Sequence, residues 1–301
     1  CLRNRNFSFR SKGYRVRAMA EKAPSEAAQD LRRHDHDRYL TALFAPPEVR
    51  EEHFALYAFN HEVAKTAEVV SDSTIGQIRL EWWRESLEGL FAGQPRRHPL
   101  LESLAPAARE GRLPKAQLER LLEVREEDLN PRQPRDLAEF EAYAEATGAS
   151  LLYAALGLLG LPPAAHESLH RAARHIGIAY ATVGLLRAVP FHAARKQLWL
   201  PEDHTLVAGV DKRKLFELKP QEALAGVVMR LAKRAQEHLE AARKLAPFSK
   251  VASPVLLHGS LAGLYLRRLE ASDYDSFNPA IGLAPPSRMP RLTWPYWRGH
   301  W

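Results

Sequence analysis

Tyr57-Ala58-Phe59-Asn60-His61-Glu62-Val63-Ala64-Lys65-Thr66-Ala67-Glu68 is the stretch on which the fold class turns, because its pattern suits a helix and shows no strand-like alternation. Phe54, Tyr57, Ala58, His61, Ala64 and Lys65 fall near one face at about 3.6 residues per turn. The spacing predicts a helix over 48–70, entered after Pro46-Pro47. A break at 70–73 leads into Thr74-Ile75-Gly76-Gln77, which reads as a capping box, with the threonine hydroxyl and glutamine amide satisfying free amides at a helix start. That helix runs through Ile78, Trp82, Leu87 and Phe91 and ends at Gly93-Gln94-Pro95. Further helices are expected at 99–110, 114–130, 136–161, 164–189, 221–245 and 255–270, with prolines marking most of the connections. No run of four to eight residues alternates convincingly with period two, so the fold class is all-α. No interior linker argues for a second domain, and 22–279 reads as one helical bundle.

Composition bounds the function classes. The chain has 301 residues, 46% hydrophobic and 26% charged, which is ordinary for a globular protein with a sizeable core. The longest nearly unbroken apolar stretch, 151–161, is about half of a membrane span and reads as a buried helix. Cys1 is the single cysteine, so an internal disulfide framework and a cysteine-based zinc site are both excluded. The net charge of +7 belongs to the two ends: residues 1–20 supply +6 without an acid and 280–301 supply +3, leaving the body at −2. Clustered cations on the body, which hold a phosphate backbone, are therefore not indicated, and no nucleic-acid partner is expected.

The segment 1–21 has the Arg-rich, Ser-bearing, acid-free composition of a mitochondrial transit peptide. A disordered basic arm is the bland alternative, and Met19 offers another, a start site that would make 1–18 non-native. The tail 280–301 holds Pro285, Pro286, Pro290 and Pro295 together with half of the six tryptophans. Such a tail cannot form a core alone. It either packs back on the domain or docks on something else.

Other motifs carry little. His61-Glu62 lacks the second histidine of H-E-x-x-H, since Lys65 stands there. His34-Asp35-His36-Asp37 reads as solvated charge at a helix entry, and Trp82-Trp83 as core and partner surface. There is no G-x-G-x-x-G, no G-x-x-x-x-G-K-[ST] and no G-x-S-x-G.

The stretch 57–68 and Leu185-Leu186-Arg187-Ala188-Val189-Pro190-Phe191-His192 together resemble the two acidic segments of the squalene/phytoene synthase family. The family reads Y-A-F-C-R-x-V-D-D-x-x-D in the first and L-R-D-V-x-E-D in the second. Here the acidic positions hold Ala64, Lys65 and Glu68, then Ala188, Phe191 and His192. The resemblance implies an isoprenoid-synthase-like fold over most of the chain, from about residue 39 to 279. A synthase of this class neutralises a departing pyrophosphate with Mg2+ held by carboxylates on two facing helices, because this hard ion wants near-octahedral oxygen. Alanine and phenylalanine have no ligand atom, Lys65 adds positive charge, and His192 suits transition metals better. The expectation is thus no catalytic residue, no metal and no cofactor. A residual ligand pocket would involve Tyr57, His61, Lys65, Glu68, Arg187 and His192, although Arg187 also reads as a structural partner of Glu68.

The strings Ala58-Phe59-Asn60-His61-Glu62-Val63-Ala64, Ser150-Leu151-Leu152-Tyr153, Leu186-Arg187-Ala188-Val189-Pro190-Phe191-His192 and Asp273-Tyr274-Asp275-Ser276-Phe277-Asn278-Pro279 are similar to a divergent, non-catalytic branch of that family. That branch serves assembly of mitochondrial complex I, NADH:ubiquinone oxidoreductase. The resemblance implies complex I subunits or other assembly factors as partners, and peripheral association with the matrix side of the inner membrane. A bacterial cytoplasmic location follows instead if 1–18 are not native. The alternative is an active prenyl-diphosphate transferase in isoprenoid biosynthesis, and Ala64 and Ala188 separate the two.

Overall fold

A computed structural model describes residues 24–70, 72–245 and 249–301; the leader expected at 1–21 lies outside the described residues. No β-strand occurs among them. The Ser25 hydroxyl caps α1 (Glu26–His34) by accepting from the Ala28 amide at 3.1 Å, and Asp35 caps α2 (His36–Ala42) from the Arg38 amide at 3.1 Å. Then come α3 (Arg50–Ala64) and, after Lys65, the single turn α4 (Thr66–Val69). The cap of α5 (Ser73–Phe91) corrects the sequence reading: Asp72, rather than Thr74, is the N-cap, its carboxylate accepting from the Thr74 amide at 2.7 Å. An ionised acceptor one residue ahead of the helix makes the stronger cap and gains from the helix dipole. The stop at Gly93 holds, with φ of 77°.

Pro106 lies inside α6 (Pro99–Arg109) rather than at a connection, and α7 (Lys115–Glu127) follows. The helix expected over 136–161 is α8 (Leu137–Ala144), a π-helical turn Glu145–Ala149 and α9 (Ser150–Leu158). Beyond it, α10 (Glu167–Arg187) bends through Ala188 into α11 (Val189–Ala194), where Pro190 sits in the first turn and its missing N–H donor costs no intrahelical hydrogen bond. Two short helices, α12 (Glu202–Ala208) and α13 (Lys212–Phe216), precede α14 (Glu222–Leu245) and α15 (Ser253–Glu270). The chain closes with the turn α16 (Pro279–Gly282) and α17 (Arg288–Arg298).

Packing centres on α10, which lies against α14, α15, α9 and the π turn. Its buried stripe of Ala172, Ala173, Ile176, Ala179, Val183 and Leu186 keeps these neighbours close. At the π turn the backbones touch: a Cβ on Gly177 would stand 2.5 Å from Ala149 Cα. The helix α3 is not one-faced, as the periodicity suggested; every side chain from Phe54 to Phe59 is buried. Enclosure by α1, α2, α6, α7 and α9 accounts for this. Even Glu52 is buried there, held by a bidentate contact from Arg112 at 2.6 and 2.8 Å. The tail packs back as α17, which runs along α15 with Leu292 buried. No helix among the described residues is long and apolar enough to cross a membrane.

Candidate functional site

A cleft opens beside the C-terminal end of α10. Tyr180, Gly184 and Arg187 recur at helical spacing along one face of α10, with Ala188 next in line. They meet Tyr143 and Thr147 from α8 and the π turn, Arg38 from α2, Arg125 from α7 and Tyr265 from α15, around a cavity of about 250 Å3. A second cavity of about 250 Å3 shares Arg125, Tyr143 and Leu185 with the first. Its other walls include Ala64, Ala67, Glu68, Asp128, Phe191, His192, Arg195 and Trp199.

The two segments singled out in the sequence therefore do face each other: Ala64, Glu68, Phe191 and His192 line one cavity, and Arg187 and Ala188 the adjoining one. Tyr57, His61 and Lys65 line neither. Tyr57 is fully buried, with its hydroxyl 3.5 Å from the Pro254 carbonyl. The His61 ring stacks on His34 at 5.1 Å, and Lys65 pairs with Glu62 one turn back. Arg187 does not pair with Glu68. Its guanidinium lies 3.7 Å from the Tyr265 ring centroid and its Nε donates to the Ile281 carbonyl at 3.2 Å.

Sequence reasoning missed most of the polar walls. The run at 34–37 is solvated charge only in part: His34 is exposed, but Asp37 is buried, accepting from the Tyr265 hydroxyl and from Arg288, each at 2.6 Å. Asp35 pairs with Arg38, whose guanidinium is 5.2 Å from the Tyr180 ring. Burial works against the Arg38 charge, yet Asp35 and Tyr180 hold its pKa above the usual guanidinium value. Arg125 donates to Asp128 at 2.7 Å and to the Tyr143 hydroxyl at 3.0 Å, while that hydroxyl donates to Asp128 at 2.8 Å. Burial pushes the Tyr143 phenol well above its ordinary value and, in the second cavity, lowers the His192 pKa, so His192 is a neutral ring at pH 7. The available signals were the acid–base spacings of three residues, Asp35 to Arg38 and Arg125 to Asp128.

Four arginines, Arg38, Arg125, Arg187 and Arg195, face two carboxylates, Glu68 and Asp128, among the lining residues. Asp128 is already occupied by Arg125 and Tyr143. The donor set does not fit Mg2+, since Glu68 alone remains and the facing positions are Ala64, Ala188 and Phe191. What the arrangement offers is guanidinium donors for an anionic group: Arg38 Nε and Arg125 Nε are buried with no hydrogen-bond partner among the described residues.

Residues 31–298 match the family model for squalene/phytoene synthase. The chain belongs to the squalene/phytoene synthase family. Within that family it is 34% identical, over 83% of its own length and 75% of theirs, to proteins of Bos taurus and Homo sapiens named NADH dehydrogenase (ubiquinone) complex I, assembly factor 6. A chloroplastic phytoene synthase of an Oncidium hybrid cultivar is 26% identical over 79% of this chain and 59% of that protein. In solved structures the fold matches a dehydrosqualene synthase in complex with ligand, with a TM-score of 0.78, 18% identity and coverage of 90% and 94% of the two chains. A squalene synthase from Alicyclobacillus acidocaldarius superposes with a TM-score of 0.72, 18% identity and coverage of 83% and 93%. The isoprenoid-synthase-like all-α bundle expected from the sequence is thus the observed fold.

Proposed function

We propose that this protein is a non-catalytic member of the squalene/phytoene synthase family that acts in the assembly of mitochondrial complex I. The observation that carries the reading is the cleft: where two helices would present facing carboxylates to Mg2+, this chain places Ala64, Ala188 and Phe191 among arginines. Ionisation of an allylic diphosphate needs its developing charge neutralised, and Glu68 is a poor cage for the ion that does so. The names of the relatives that share about a third of its sequence support the assembly role. Its partners on this reading are complex I subunits or other assembly factors, met at the matrix side of the inner membrane by peripheral association.

Two measurements test it. The purified protein, given farnesyl or geranylgeranyl diphosphate at saturation with Mg2+, releases no pyrophosphate above the protein-free control; sustained Mg2+-dependent turnover overturns the non-catalytic reading. Cells lacking the protein show less assembled complex I on a native gel, restored by the intact chain. An unchanged complex I profile overturns the assembly role.

A further inference from the structure

The C-terminal helix α17 keeps little of its apolar surface for the domain. Leu292 is buried and Arg288 turns inward to Asp37, so the opposite side of the helix faces away from the core. That side carries Met289, Trp294 and Trp297, which are 39%, 58% and 82% exposed. At about 100° per residue these three share one stripe with Pro290, and Arg291 and Arg298 lie along its edge. The Arg298 guanidinium rests 4.4 Å from the Trp294 ring.

The surroundings are cationic. Residues 280–301 contain three arginines and no acid. Arg267 on α15 adds to them, its own charge disfavoured by burial and then by Arg291 and Arg243 nearby. Tryptophans backed by arginines, on a short helix whose inner side is anchored to a folded domain, suit the boundary between lipid headgroups and acyl chains. There the indole rings leave water without any span crossing the bilayer, and the guanidinium groups meet phosphate. A protein partner would have to bring acids to match the arginines, whereas an anionic leaflet supplies them everywhere.

We propose that the outer face of α17 docks this protein on an anionic phospholipid surface, with Met289, Trp294 and Trp297 entering the interface and Arg291, Arg298 and Arg267 facing lipid phosphates. This rests on the reading that the protein works at the inner membrane and names the surface that holds it there. The full chain is floated with vesicles of phosphatidylcholine alone and of phosphatidylcholine with phosphatidylglycerol. It floats with the anionic vesicles, and added salt weakens the binding. W294S/W297S and R291E/R298E each reduce it by about tenfold or more. The substituted side chains are exposed, and the circular dichroism melt of each variant is compared with that of the parent. Quenching of tryptophan fluorescence by brominated acyl chains, lost in the milder W294F/W297F, gives a readout that survives a failure of the serine variant to fold. Absence of flotation overturns the proposal, as does equal flotation of folded variants. Capture of purified complex I intermediates through the same residues, without vesicle binding, also overturns it, in favour of a protein partner. Vesicle binding is read without complex I, so a normal complex I profile in cells lacking the protein overturns the assembly role and leaves the docking face standing.

Discussion

At the scale of single residues, the cleft is held by acids whose one signal in the sequence is a basic partner three residues away. Asp128 satisfies Arg125 and Tyr143 together, with both charged side chains nearly buried. Removing one partner of such a pair leaves a buried charge uncompensated, so Asp128→Ala should cost about 3 kcal/mol. Asp128→Asn, which keeps an acceptor, should cost less. Urea denaturation separates the two, and equal midpoints would show that Arg125 finds another partner. Buried histidines set the acid limit. Burial lowers His53 to about 4 and His258 to about 3, while both titrate near 6.5 in the unfolded chain. Between those values the unfolded state binds more protons, so stability rises with pH there and is lost as pH falls from about 6.5 toward 4. Each histidine contributes roughly 1 kcal/mol per pH unit in that window. His258→Asn should flatten the dependence, measured as unfolding free energy at several pH values, and an unchanged slope would remove His258 from the account.

At the scale of elements, the long helices were legible because their apolar residues recur with helical period between prolines and glycines. The stop at Gly93 and the end of α10 ahead of Pro190 were legible for the same reason. Three features were not. The π turn leaves the apolar pattern of 136–161 intact, and the reason for it lies in another helix, where Gly177 lets α10 approach Ala149. The helix α17 was hidden in a tail that holds Pro285, Pro286, Pro290 and Pro295 and for which no helix was expected. Pro290 stands in its first turn, where an amide has no intrahelical acceptor to lose. In the cleft, the apolar character of Ala64, Ala188 and Phe191 was readable from the sequence. That arginines from α2 and α7 meet them there was not, since those helices are far away in sequence. The crossing at Gly177 makes a sharp prediction. Gly177→Ala drives a methyl group into backbone and should destabilise by about 2 kcal/mol, whereas Gly226→Ala on α14, with open space around it, should stabilise by up to about 1 kcal/mol. Thermal melts of the two variants should move in opposite directions.

At the scale of the whole molecule, α2 and the C-terminal helix α17 are tied together through one carboxylate. Asp37 near the start of the described chain accepts from Tyr265 on α15 and from Arg288 at the head of α17. Trp301 adds a second tie, its ring lying against Gly259 on α15 and 5.4 Å from the Arg243 guanidinium. Because α17 buries only Leu292 fully, it depends on these polar and aromatic ties more than on apolar area. Its local opening should therefore be separable from global unfolding. In Asp37→Ala the Arg288 guanidinium and the Tyr265 hydroxyl lose their shared acceptor. Hydrogen exchange at 288–298 should then accelerate by about tenfold or more, while α10 and α14 stay as protected as in the parent. Trypsin should cut first at Arg288 and Arg291. If exchange instead rises uniformly across the chain, Asp37 holds the whole bundle, and α17 unfolds only with it.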